Sequence, residues 1–147
     1  MRKIELNTIE IGEEAYPLYC DLYVLSKIQE KMSVNEFERR ILGAVILRDN
    51  DGNPTYDENN HIKLVFDKYD IDTIIFGLTL MINEGLQIRS DQEGEEYEEV
   101  DEKYIARMST LPIEQISDII HNEFNRCFNV KKNTVKTTKN RSRKTSR

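Results

Sequence analysis

Ile74-Ile75-Phe76-Gly77-Leu78-Thr79-Leu80-Met81-Ile82 is the stretch whose reading decides the fold. It is the longest apolar run in the chain, interrupted by Gly77 and Thr79. At nine residues it is far short of the roughly 20 that a membrane span needs, so it reads as a buried core segment. Asp70 stands upstream as an N-cap, and the run predicts a helix over about 71–90. The middle of that helix is apolar nearly all round. Such a helix is central in a bundle or keeps a second face for a partner. Gly77 costs about 1 kcal/mol relative to Ala in a helix interior, a cost that makes sense if it allows close helix packing.

Toward the N-terminus, Ile4, Leu6, Ile9 and Ile11 alternate in places with polar residues. Gly12-Glu13-Glu14 reads as a turn and Ala15 to Cys20 as a second extended piece, together a β-hairpin. Pro17 lacks a backbone donor, which places it on an edge. Asp21 caps a first helix to about Met32, with Leu22, Leu25, Ile28 and Met32 as its apolar stripe. Ser33-Val34-Asn35-Glu36 matches a capping box, with Glu36 reaching back to the N-cap. The second helix is expected to carry Phe37, Ile41, Ala44 and Val45 on one face and to end near Arg48. Residues 49–61 are rich in Asp, Asn, Gly and Pro. Asp51-Gly52 marks a tight turn, and Ile62, Leu64 and Phe66 alternate as one short strand. The segment reads as a surface insertion.

Toward the C-terminus, residues 91–102 hold eight acids and no base, which predicts a solvated loop. A short helix follows over 101–109. Pro112 suits the first turn of a last helix, about 112–128, with Ile113, Ile116, Ile119, Ile120, Phe124, Cys127 and Phe128 as its stripe. Beyond Asn129 the apolar periodicity stops. Residues 129–147 are expected to be a basic disordered tail, because they bury too little to offset the entropy of ordering. No internal repeat is found at solenoid spacing.

The predicted fold class is α+β, mostly helical: an N-terminal β-hairpin, then a bundle of about four helices, in one domain over 1–128. Charge separates this body from its tail. The chain has 21 basic and 27 acidic residues, net −6. Residues 129–147 hold eight of the bases and no acid, which leaves the body 13 basic and 27 acidic residues, net −14. An acidic body repels phosphate, and the tail has no aromatic for base stacking, so nucleic acid is not the expected main partner.

The sequence favours a binding protein over an enzyme. Cys127 and His121 lie six apart, on different sides of a helix, which argues against a catalytic dyad. The two cysteines and two histidines show no zinc spacing. Asp49-Asn50-Asp51-Gly52-Asn53 resembles a calcium loop only superficially, since its glycine is two positions early and no Glu stands at the twelfth. The glycines are isolated, so no phosphate-binding loop is present. No cofactor, no metal and no membrane are expected. Cys20 and Cys127 read as small core residues in a reduced, cytosolic setting.

Four stretches in order carry a family likeness: Ile9-Glu10-Ile11 to Tyr16-Pro17-Leu18; Asp21-Leu22 with Leu25 to Glu30; Leu78-Thr79-Leu80-Met81-Ile82-Asn83-Glu84-Gly85; and Ile116 to Phe128. In these the chain resembles the tail assembly chaperones of long-tailed phages and prophages, of the type common in Gram-positive bacteria. The likeness covers residues 1–130. It departs at Lys31-Met32-Ser33, where the family often has an aromatic-Gly turn, and at 49–67, which lacks a clear counterpart in shorter members.

The resemblance implies a protein that coats the tape measure protein, helps recruit tail tube subunits, self-associates along the client in the host cytoplasm, and is absent from the mature virion. It also implies a longer form made by frameshifting, with Lys131-Lys132 as the place for a slippery site. A structural virion or head–tail joining protein is the alternative, and a small nucleic-acid-binding regulator acting through the tail a second. Phe76, Leu80, Phe124 and Phe128 are the candidate partner-binding residues, as surplus apolar surface.

Overall fold

The computed structural model describes residues 3–66 and 68–128. The expected tail, 129–147, and the candidate frameshift position Lys131-Lys132 lie outside the described residues. The fold is the expected one in class: an N-terminal hairpin followed by helices, about half helical.

β1 (Asn7–Ile11) pairs antiparallel with β2 (Glu14–Leu18). Ile11 lies opposite Glu14, so the turn is the two residues Gly12-Glu13. Gly12 has φ +64°, a left-handed conformation that glycine adopts without a Cβ penalty at the first position of a tight hairpin turn. Ile9 and Ile11 point into the core while Thr8 and Glu10 point out, the period-2 pattern of a half-buried strand. Pro17 sits opposite Thr8 in a two-stranded sheet where both strands are edges.

α1 (Leu22–Gln29) and α2 (Val34–Leu42) start at their expected caps. Asp21 accepts from the Val24 N–H and Ser33 from the Glu36 N–H. Two corrections follow. Leu22 is 73% exposed, and Val24 takes its place beside Leu25 and Ile28 in the core. At about 100° per residue, Leu22 points roughly 110° away from the direction shared by those three. In α2 the Glu36 carboxylate does not complete a capping box; it pairs with Arg39 and Arg40 instead.

α2 also ends earlier than expected. Gly43, at φ +71°, is its left-handed C-cap, which closes a helix at low cost. Ala44 and Val45 therefore belong to β3 (Ala44–Ile46), not to the helix, and β3 pairs with β4 (Leu64–Phe66). Between them run two consecutive loops of one design. Asp49 accepts from the N–H groups of Asp51 and Asn53, and Asp57 accepts from those of Asn59 and His61, each at 2.9 Å. Gly52 and Asn60 hold the equivalent left-handed positions. In each loop the backbone amides thus converge on a single carboxylate oxygen, Oδ1 of Asp49 or of Asp57. Fully buried apolar residues jump from Ile41 to Ile74, so this arm adds nothing to the central core, as an insertion should.

α3 (Ile71–Glu93) is the centre of the molecule. Asp70 caps it through the Thr73 N–H, and Gly94 closes it at φ +69°. By length and composition it is long and apolar enough to cross a bilayer, yet half of its apolar window is buried inside the fold. Ile74, Leu78, Met81, Ile82 and Leu86 form one buried face. The hairpin, α1, α2, α4 (Glu102–Met108) and α5 (Ile113–Phe128) surround it. Two glycines set how close they come. A Cβ on Gly77 would stand 2.5 Å from the Phe37 ring, and one on Gly85 would stand 2.7 Å from the Pro17 carbonyl. Tyr19 N–H donates to the Met81 carbonyl at 3.0 Å, fastening the end of the hairpin to the helix backbone.

Candidate functional site

The four candidate residues separate into three environments. Phe124 is fully buried, between Phe37 at 5.7 Å and Phe128 at 5.3 Å between ring centroids. It has no surface to offer a partner, because α5 packs that face against α2. Phe128 is 36% exposed at the end of α5. Phe76 and Leu80 are half-buried and lie one turn apart on α3.

Leu80 is the floor of a groove of about 450 Å³, lined also by Tyr23, Asn83, Glu84, Gln87, Tyr97 and Glu99. One wall is α1. The other is the 95–100 segment, and its placement is the surprise. The acids of 91–102 are mostly solvent-facing as expected, but the segment is clamped to α3. Asn83 Nδ2 donates to the Val100 carbonyl at 2.9 Å, and its Oδ1 accepts from the Val100 N–H at 2.8 Å. Tyr97 Oη donates to Gln87 Oε1 at 2.5 Å. Asn83 and Gln87, polar residues on an apolar helix, were the available signal. Lys31 Nζ lies 4.2 Å from the Phe76 ring centroid and Lys27 Nζ 5.4 Å from that of Tyr23, so aromatic groups on this face already meet ammonium groups.

Glu84 carries the unusual electrostatics of the groove. Burial, then a hydrogen bond and repulsion from Asp21, then the Asp91 charge, push its carboxyl from the ordinary 4.5 up to about 8. A neutral Glu84 therefore favours the fold. That contribution is full below pH 4.5 and is lost as pH rises through 8. Glu84→Gln, neutral throughout, is expected to match the parent near pH 4.5. At pH 8.5 it should be more stable by about 1 kcal/mol, since solvent at the open groove screens the effect. Urea midpoints at the two pH values test this. Parent and variant curves that stay parallel across the range would refute it.

A second polar centre lies beside Cys20, just before the Asp21 cap of α1. Glu123 is 2% exposed and fully hydrogen-bonded. Its Oε1 accepts from Asn7 Nδ2 at 2.8 Å, and its Oε2 accepts from the Cys20 N–H at 2.7 Å. The same Oε2 meets Arg126 Nε at 3.0 Å and Nη2 at 2.6 Å. An acid among the buried residues Ile116, Ile120 and Phe124 of α5 was visible in the sequence, but its partners were not.

The same junction brings the two cysteines together. The Cys20 and Cys127 thiols interact, and burial pushes both above the ordinary thiol range, which makes them poor nucleophiles. His121 instead meets Glu38 at 2.9 Å, so the structure does not bring His121 and Cys127 together as a dyad. Among the described residues, no group of three or more His, Cys, Asp and Glu side chains is placed to hold a metal ion.

Comparison with family models, with curated proteins and with solved structures gives no match for this chain.

Proposed function

We propose that this chain is a binding protein of the holdase kind, a tail assembly chaperone that takes the tape measure protein as its client and helps bring tail tube subunits to it. The observation that carries the reading is the groove over Leu80, an apolar floor left open on the central helix of a strongly acidic body. A holdase needs such a contact surface together with a soluble, self-repelling exterior. Leu80, with Tyr23 and Tyr97 beside it, supplies the first, and half-buried Phe76 stands one turn earlier on α3, outside the groove. The net charge of −14 over residues 1–128 supplies the second.

The occupant that suits the groove is an amphipathic helix laying its apolar side chains along the Phe76–Leu80 stripe. Several copies bind along one long client, in the host cytoplasm, and leave before the particle is complete. The resemblance in the four stretches named above supplies the identity of client and tube. The groove supplies only the mode of contact.

Co-expression with the tape measure protein tests the proposal. The parent chain is expected to keep that client soluble and to co-purify with it. Leu80→Glu should abolish co-purification while leaving the urea midpoint close to the parent's, because Leu80 is only half-buried. Abundant copies of the chain in purified particles would overturn the reading in favour of a structural virion protein.

A further inference from the structure

We propose that residues 129–147 dock on the Leu80 groove of their own chain, so that the protein carries a competitor for its own partner surface. The occupant is named by charge and by position. The segment holds eight bases and no acid. The groove has Glu99 as the charged acid of its rim, Glu84 beside it as a hydrogen-bonding group held neutral below about pH 8, Tyr23 and Tyr97 as walls and Leu80 as floor. Asp21 is hydrogen-bonded to Glu84, and Glu95, Glu96 and Glu98 lie exposed along the outer wall.

The end of α5 delivers the segment to that place. Arg126 Nη2 donates to the Cys20 carbonyl at 2.6 Å, and the Cys127 thiol meets that of Cys20. The next residue along, Asp21, is the one bonded to Glu84. The last turn of α5 is therefore one residue and one side-chain contact from the groove rim. Lys131 and Lys132 stand four and five residues beyond Cys127, a reach of up to roughly 14 to 18 Å at 3.3–3.6 Å per residue. That reach, starting beside Cys20 and Asp21, carries the first two ammonium groups toward the groove rim.

The interaction expected is weak per contact and helped by tethering. Exposed ion pairs are individually weak and are screened by salt. A short covalent connection, however, holds the segment at an effective concentration of the order of millimolar. The Tyr97 wall adds direction, because an ammonium group over an aromatic face is favoured, as Lys27 over Tyr23 and Lys31 over Phe76 already illustrate. The docking stands on the groove and the charge of the segment; its consequence for a client rests on the function proposed above.

Amide spectra of the full chain test it, compared with a full-chain variant carrying Lys131→Gln, Lys132→Gln, Lys136→Gln and Lys139→Gln. The expected result is a set of shift differences concentrated at Tyr23, Leu80, Glu84, Tyr97 and Glu99. These should be independent of protein concentration and collapse in about 0.5 M salt, where the screening length falls to a few ångströms. A free peptide of residues 129–147 added to the variant should restore them. Differences that are absent, or spread evenly over the acidic surface, would overturn the proposal. So would differences that grow with protein concentration, which would place the segment on a second copy.

Client affinity is read separately. The variant should bind the tape measure protein about threefold to tenfold more tightly once the tethered competitor is weakened. Groove shifts with unchanged client affinity would uphold the docking and remove the client from this groove. Absent shifts with intact client binding would do the reverse.

Discussion

Glu123→Ala is expected to cost about 3–5 kcal/mol of folding stability, the range for breaking a buried, hydrogen-bonded charge pair by removing one partner. The reason lies in what is left behind. The Cys20 N–H is buried against the carboxylate and has nowhere to turn, and an unsatisfied buried donor costs about 1–3 kcal/mol alone. Asn7 loses the contact that ties β1 to α5. Arg126 is 39% exposed at its side chain and recovers water, so it contributes the smaller part. Glu123→Gln keeps the shape but turns one donating amide toward existing donors, and about 2–3 kcal/mol is expected for it. Urea unfolding with an unchanged m-value is the measurement. A loss below about 1 kcal/mol for the alanine variant would mean that the carboxylate does not anchor this junction.

Gly85→Ala is expected to destabilise by about 2 kcal/mol, against the direction of helix propensity. Propensity alone favours Ala by about 1 kcal/mol. The new Cβ, however, would stand 2.7 Å from the Pro17 carbonyl carbon and oxygen and 3.0 Å from the Leu18 nitrogen. These are backbone atoms of a strand held to α3 by the Tyr19–Met81 hydrogen bond, so the whole hairpin must lift. Overpacking of that kind costs about 1–3 kcal/mol or more, and it wins. Gly77→Ala meets the Phe37 ring at 2.5 Å, a fully buried side chain braced by Phe124. A comparable loss is expected there, with one difference. Phe37→Leu on top of Gly77→Ala should recover part of it by vacating space, and no single side-chain change should do the same for Gly85→Ala. Equal rescue at both sites, or a net gain from Gly85→Ala, would refute the account.

Much of the architecture is written locally. Asp21, Ser33 and Asp70 each cap the helix expected, through the same N–H three residues on. Those bonds depend only on side-chain chemistry within one turn. The hairpin turn at Gly12 and the central place of residues 71–93 follow in the same way, from a glycine at a left-handed position and from an apolar run that no water-facing helix tolerates. Where prediction slipped, a non-local partner decided. Gly43 ends α2 because the chain must turn there to build the β3–β4 arm, with the backbone at Tyr69 standing 3.0 Å from where its Cβ would be. Leu22 fits a stripe on paper, yet α1 rotates Val24 toward the core instead.

The same division runs through the central helix from which the reading began. By itself the sequence determined that residues 74–82 lie at the core, that the body is acidic and that a basic segment follows it. Hydrophobic period, cap chemistry and net charge are properties of neighbouring residues, and they survive in any fold the chain adopts. Only the tertiary structure decided which apolar residues are left over. Phe124 is covered by α2, Leu80 is left at the bottom of a groove, and Asn83 draws an acidic loop down to make the groove's wall. Glu123 and Cys127 on α5 meet Cys20, over a hundred residues earlier in the chain, at one junction. Burial is a property of what packs against a residue, and those partners are brought together only when the whole chain has folded.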